Sequence, residues 1–258
     1  MEILVCIKQV PDDSVEINFD PEKNGPALDG VTPVVNAFDT YALEMAARFK
    51  EAEGGEITVV SIGDDSVKNS LKNCLAVGAD KAYLVPNDNA DALDAAGIAQ
   101  CLIQAKEAIE AKEDKKFDVI FFGKESTDYA SSQVGLILAE KLGIPAAANV
   151  VGVEKAEAGL AIKQETDEGY NLLEAAMPCA VTVQKPNYDP RYPTIKSKMA
   201  ARKKTIETIE AADCPESRIE VLKVYGPAKR QAGVKIQAES AEEAVAQAMA
   251  MMTEAKVF

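Results

Sequence analysis

The chain has 258 residues, enough to bury one large α/β core, and no apolar run long enough to span a membrane. It holds no histidine, which excludes Ser-His-Asp and Cys-His catalysis and His-ligated zinc. A net charge of −14 disfavours nonspecific nucleic-acid binding.

Ile3 to Ile7 reads as a first buried strand, too short for a secretory signal. Gln9 to Asp13 reads as a turn in which Pro11 stops strand pairing. Val15 to Phe19 alternates as a short half-exposed strand does, and Asp20 to Gly30 is loop. Asp39 is a candidate N-cap for a helix striped by Tyr41, Met45 and Phe49. Ile57 to Ile62 predicts a second strand. Val67, Leu71 and Leu75 mark a helix ended by Gly78, and Ala82 to Val85 is a third strand. Ile98, Leu102, Ala105 and Ile109 mark the next helix, whose charged end from Lys112 to Lys116 reads as solvated surface. Val119 to Phe122 suits a strand buried on both faces, and Gly123 breaks it. Ser126, Thr127 and Asp128 are candidate caps for a helix striped by Val134, Leu138 and Leu142 and stopped by Gly143 and Pro145.

Strand and helix alternate to this point. That predicts an α/β fold with a doubly wound, mostly parallel sheet, whose ligands sit beyond the carboxyl ends of its strands. Those ends are Cys6 to Lys8, Ser61 to Gly63 and Phe122 to Lys124. Four further strands are predicted at 146–153, 160–164, 170–174 and 179–184, then a proline-rich connector at 185–193. The run from Arg191 to Lys204 carries six positive residues and no acidic one. The domain covers 1–208, and residues 209–258 form a C-terminal extension. The extension is expected to hold short strands near Val221 and Val234 and a final helix begun by Ser240. Five scattered cysteines, Cys6, Cys74, Cys101, Cys179 and Cys214, with no C-x-x-C, predict buried free thiols and a cytoplasmic location.

No two glycines are separated by a single residue, so the dinucleotide fingerprint G-x-G-x-x-G is absent. A P-loop ending at Gly123-Lys124 fails at Asp118 and at Glu125. No acid–base pair and no metal cluster stands out, so neither catalytic nor metal-ligating residues are assigned. The stretch from Asp118 to Gly143 is either an ordinary βα turn or an anion site. The anion site would be built from the hydroxyls of Ser126, Thr127, Ser131 and Ser132, the amide of Gln133 and a helix N-terminus. Redox chemistry would belong to a cofactor.

Three groups of residues together resemble the β subunit of electron-transfer flavoprotein. They are Ile3 to Asp12; Asn36 to Asp39 with Ala42 to Ala46, Ser61 to Gly63 and Ala76 to Asp80; and Pro190 to Lys204, which is the most specific. Ala232 to Lys235 adds to the likeness, which covers nearly the whole chain. The resemblance implies a Rossmann-like fold of adenine-nucleotide-binding type and a heterodimer with an α subunit that holds FAD. It implies electron shuttling from flavin-dependent, acyl-CoA type dehydrogenases to a further acceptor, with AMP held here in a structural role. The AMP contacts it implies are Cys6, Asn36, Ala37, Phe38, Asp39 and Ile62. They continue through the loop as Lys124, Glu125, Ser126, Thr127, Asp128, Tyr129, Ala130, Ser131, Ser132, Gln133, Val134 and Gly135. A partner-recognition loop maps onto 187–199, with Tyr192, Ile195, Lys196 and Met199 touching the dehydrogenase and Ile195 at the anchor position. The arm 209–258 is implied to pack on the α subunit.

Electron-bifurcating members of the family place a second FAD where AMP lies and oxidise NADH. Their phosphate loop reads Ala-Ile-Asp-Gly-Asp-Thr-Ala-Gln. This chain keeps only Asp128 and Gln133 of that pattern, and Ala37 stands where the family has proline. Those departures favour AMP, whereas the opening Lys8 to Asp12 favours the second FAD. Of other classes, an adenine-nucleotide hydrolase would need a P-loop or a Ser-Gly-Gly loop. A stress-type nucleotide sensor would need a Gly-x-x-Gly loop.

Overall fold

The computed structural model describes residues 1–210, 214–215, 217–228 and 232–257. The first part of the chain forms β1 (Glu2–Cys6), β2 (Gln9–Pro11), β3 (Phe19–Asp20), β4 (Gly25–Pro26), β5 (Pro33–Val35) and α1 (Ala37–Glu53). Next come β6 (Glu56–Gly63), α2 (Val67–Val77), β7 (Lys81–Pro86), α3 (Ala95–Glu113), β8 (Val119–Gly123) and α4 (Val134–Leu142). The rest adds β9 (Ala146–Ala156), β10 (Gly159–Thr166), β11 (Gly169–Ala175), β12 (Cys179–Val183), α5 (Ile195–Lys203), β13 (Glu207–Thr208) and α6 (Ala241–Glu254).

One sheet carries the fold, in the order β11-β10-β9-β12-β8-β1-β6-β7-β13. Every pairing from β9 across to β13 is parallel, and β10 and β11 extend one side as an antiparallel hairpin. The predicted doubly wound α/β architecture is present. From β1 the chain steps outward through β6 and β7, and α3 then returns it to β8 on the other side of β1. The order reverses between β1 and β8, which places a crevice at their carboxyl ends.

Side chains of a strand alternate between faces, so β1 and β8 feed two cores. Ile3, Val5, Val119 and Phe121 pack with Leu43, Met45 and Leu71 of α1 and α2. Leu4, Cys6, Ile120 and Phe122 pack with Leu102 and Ile109 of α3 and Leu138 of α4. Each fully buried aliphatic or phenyl group contributes about 1.5–3 kcal/mol. Gly143 ends α4 in the left-handed conformation at φ 63, where its amide reaches the carbonyls of Ala139 and Glu140.

Several local readings are corrected. Gln9 to Pro11 does pair, as β2 against β5, because Pro11 sits at the end of a two-stranded ribbon opposite Pro33. Val15 to Phe19 is not a strand. Only Phe19–Asp20 pairs, with Gly25–Pro26 of the expected loop, while Val15 and Ile17 lie exposed without a core to face. Lys112 to Lys116 is not merely solvated. Lys115 bridges Glu2 and Glu56 at the amino ends of β1 and β6, and Lys112 pairs with Glu207. Lys116 and Lys106 pair with the buried Glu110 at 2.8 and 2.7 Å. Burial would raise the pKa of Glu110, but these cations and the Phe117 amide outweigh it and hold the carboxyl below its usual range. The basic run folds as α5, started by a capping box in which Thr194 and Ser197 exchange hydrogen bonds.

After Thr208 the described residues form no strand, at Val221 or Val234 or elsewhere, and both of those side chains are exposed. With both valines in solvent, no buried apolar face is there to favour a strand. The final helix is present as α6, capped by Ser240, whose side chain accepts from the Glu243 amide. The start of the segment is fastened to α3, because the Arg218 amide donates to Asp94 at 2.9 Å.

Cys101 of α3 and Cys214 form a disulfide, which corrects the expectation of five free thiols and removes that support for a reduced compartment. The two positions are 113 residues apart, so nothing local in the sequence signals the pair. Cys6, Cys74 and Cys179 are free and buried. Burial pushes the Cys6 thiol well above the usual range, Cys74 to about 12 and Cys179 to about 11, so none is a reactive thiolate in the folded chain. Denatured without reductant, the protein should show three reactive thiols, rising to five after reduction. Five thiols before reduction would rule out the pairing. Among the described residues no helix is long and apolar enough to cross a membrane.

Candidate functional site

Four elements meet at the switch point: the ends of β1 and β8, the first turn of α1, and the loop 124–133 that leads into α4. Asp39 holds them together. It is not the N-cap of α1, because the helix already starts at Ala37 with Asn36 before it. From inside the first turn one carboxylate oxygen of Asp39 accepts from the Lys8 amide at 2.7 Å, just past β1. The other accepts from the Gly123 amide at 3.0 Å, at the end of β8. Burial pushes this carboxyl up to about 7, while the two amide donors pull it down. Gly123 is required by the same contact, since a Cβ there would overlap the Asp39 carboxylate and come within 2.8 Å of the Phe38 carbonyl carbon.

Asn36 fastens the loop. Its Nδ2 donates to the Glu125 carbonyl at 2.8 Å, and its Oδ1 accepts from the Thr127 amide at 3.1 Å. Side-chain amides can satisfy a backbone this way where no strand is available. Lys8 pairs with Asp128 and lies 4.5 Å from the ring centroid of Tyr129. Burial and the nearby Asp91 and Asp128 charges raise the pKa of the Tyr129 hydroxyl. Ser132 Oγ donates to Glu125 at 2.6 Å.

Ser126, Thr127 and Asp128 do not cap α4, which begins at Val134 behind Gln133, and Gln133 makes no side-chain cap bond either. The gap, residues 129–133, is turned by two residues of positive φ, Ala130 at 48° and Ser132 at 54°. Gly135 sits close under the start of α4, where a Cβ would meet Thr182 at 2.9 Å and Phe122 at 3.0 Å. The helix start is thereby pressed onto β8 and β12. The donor set fits an anion such as a phosphate: first-turn amides without a side-chain cap, backbone amides turned by left-handed residues, and the hydroxyls of Ser126 and Ser131. Lys124, 5.9 Å from the ring centroid of Phe38, adds a cation at the rim.

The predicted residues therefore divide. Asn36 meets Glu125 and Thr127, Phe38 lies by Lys124, Asp39 joins the two strand ends, Asp128 and Tyr129 meet Lys8, and Ser132 meets Glu125. Ser126 and Ala130 bond to each other within the loop, and Ser131, Ala37 at the α1 start and Gln133 at the α4 start are exposed. Cys6 and Ile62 lie at strand ends and pack into the core shared with α3 and α4, as does Val134. Lys8 and Gly123 were named at the strand ends but not among the implied contacts. Their signal was position, for both follow or end the strands that flank the reversal of order.

A second surface lies on the connector and α5. Tyr192, Ile195, Lys196 and Met199 are all exposed, Ile195 at 82% of its surface. Ile195 and Met199, one turn apart on α5, form an apolar stripe among Lys196, Lys198, Arg202 and Lys203.

The chain matches the family model for the electron transfer flavoprotein domain over residues 28–214. It is 35% identical over 254 residues to the electron transfer flavoprotein subunit beta of Megasphaera elsdenii, covering 94% of each chain. Identity to the subunit of the same name from Mus musculus is 34% over 252 residues, 95% of this chain and 96% of that one. The chain is also 29% identical, across the full length of both, to the caffeyl-CoA reductase-Etf complex subunit CarD of Acetobacterium woodii. With its doubly wound sheet and a match over most of its length, the chain belongs to the electron transfer flavoprotein family, among the β subunits.

Proposed function

We propose that the chain pairs with an FAD-bearing α chain as a heterodimeric electron carrier in the cytoplasm. Flavin-dependent dehydrogenases of acyl-CoA type deliver electrons to the heterodimer, and a further acceptor takes them away. The flavin supplies the redox chemistry. In this reading the β chain has no catalytic site of its own, and its crevice holds AMP as a structural ligand. The observation that carries this is the crevice itself. Asn36 and Asp39 spend their polar atoms on the loop and the strand ends, while the start of α4 keeps its first-turn amides for an anion. Asn36 and Asp39 thus position the phosphate loop, and the residues from Ser126 to Gln133, with the backbone amides of Val134 and Gly135, face the ligand. The exposed side chains of the arm, among them Val221, Leu222, Val234 and Met249, seat on the α chain.

A second reading puts FAD in the crevice and adds NADH oxidation. It is favoured by the full-length likeness to a subunit of a caffeyl-CoA reductase-Etf complex. Denaturing the purified heterodimer and counting the released nucleotides separates the two. One FAD and one AMP per heterodimer is the expected result, and two FAD would establish the second reading instead. A heterodimer that binds no FAD and accepts no electrons from a flavin dehydrogenase would overturn both.

A further inference from the structure

We propose that Arg191 is a positioning residue for dehydrogenase docking. It clamps the connector to α1 so that Tyr192, Ile195 and Met199 are presented in one fixed arrangement. This rests on the reading of α5 as the docking face and adds to it a residue that acts from beneath.

The connector 185–193 forms no helix or strand, so its path is set by side-chain contacts. The densest of these is at Arg191. Its backbone amide and its Nε both donate to Glu44 Oε2, at 3.1 and 2.7 Å, and Nη2 reaches Glu44 Oε1 at 3.3 Å. Nη1 and Nη2 also donate to the two oxygens of Glu51, at 2.5 and 3.1 Å. Glu44 is 97% buried. Burial would raise its pKa, but bonds from Arg191 and from Arg48, whose Nε lies 2.6 Å away, outweigh this and hold it lowered. The Arg48 guanidinium also lies 3.9 Å from the ring centroid of Tyr188, three residues before Arg191. A planar fork that meets two carboxylates fixes direction as well as distance, which a lysine cannot do.

Pro190 and Pro193 flank Arg191 and stiffen the chain on each side. The capping box at Thr194 follows at once, so α5 starts from a fixed point. The far end of the helix is tied separately. Lys72 Nζ donates to the carbonyls of Ala201 and Arg202 at 3.2 and 3.3 Å. Lys204 Nζ donates to those of Ala79 and Asp80 at 2.9 and 3.1 Å. The outer face, by contrast, has its large apolar groups free, Tyr192 at 89% exposed. A face held this way has already lost the freedom that binding would otherwise have to remove. The charge of Arg191 is matched by Glu44 and Glu51, so Arg191 acts through geometry and not through long-range attraction.

The test uses the αβ heterodimer and an acyl-CoA dehydrogenase shown to reduce the wild type. Arg191→Lys keeps the charge and loses the fork; Glu51→Gln removes the outer half of the clamp and leaves the buried Glu44 pair intact. Both should raise the KM for the heterodimer, Arg191→Lys by about tenfold. FAD and AMP content, the limiting rate and the ionic-strength dependence should stay at wild-type values. Hydrogen exchange over 186–194 should be faster in both. Wild-type KM in both variants, alongside a raised KM in Ile195→Ala, would overturn the role of Arg191 alone. Wild-type KM in Ile195→Ala as well would overturn the docking face itself. A changed ionic-strength dependence in Arg191→Lys would replace positioning with an electrostatic role.

Discussion

Replacing Asp39 by alanine should lower the stability of the fold by about 2–4 kcal/mol at pH 5, because two partly buried amides lose their acceptor together. Those amides, of Lys8 and Gly123, end the two strands on either side of the switch point, so the loss falls on the joint between the halves of the sheet. The carboxyl is pushed up to about 7 in the fold from an ordinary value of 3.8, with burial as the main cause. A carboxyl raised in the native state stabilises fully below its unfolded pKa, and that contribution fades as pH rises through the folded one. The window here runs from about pH 4 to pH 7. The gap between wild type and Asp39→Ala should therefore be full below about pH 4, still wide at pH 5 and narrow by pH 8. Urea denaturation at the two pH values measures it. A gap that widens toward pH 8 would mean that the amide donors, and not burial, dominate the titration of Asp39.

Ile195→Ala should behave in the opposite way, silent in stability and large in function. With most of its surface in solvent, its truncation should change stability by less than about 0.5 kcal/mol. As an apolar anchor ringed by lysine and arginine, it should cost about 10- to 100-fold in electron transfer from the dehydrogenase. FAD and AMP content should not change. Lys196→Ala should have a smaller effect that disappears as salt is added, since a rim charge acts through a screened field. Stopped-flow reduction of the heterodimer reads both variants, and an unaltered rate in Ile195→Ala would move the docking site elsewhere.

What was legible in the sequence was whatever a short window decides. The run Val119 to Phe122 could only be a strand covered on both faces, and Val134, Leu138 and Leu142 with Gly143 could only be a short stopped helix. The site was legible as a place, since strand ends at a reversal of order locate a crevice before any side chain is known. Its wiring was not. Asp39 has the composition of a cap, but its partners lie 31 and 84 residues away, and the clamp outranks the local preference. Ser126, Thr127 and Asp128 looked like caps for α4, yet the loop is stitched to Asn36 and to itself, through Glu125, instead. Lys112 to Lys116 and the Cys101–Cys214 pair were hidden for the same reason, their partners being supplied by distant segments.

The outermost strand, β11, carries a further consequence. Among the described residues it has a neighbour on one side only, and its sequence from Gly169 to Ala175 contains no proline or lysine and one glutamate to discourage pairing. Tyr170 and Leu172 stand exposed on it, Leu172 at 84%. An extended segment of another molecule could add to this edge and bury both. The net charge of −14 opposes such pairing between two copies of the subunit, a repulsion that salt shortens to a range of about 8 Å at physiological strength. Between synthesis and meeting its partner, the subunit thus depends on its acidity as a colloidal shield, and that shield is thinnest in concentrated salt.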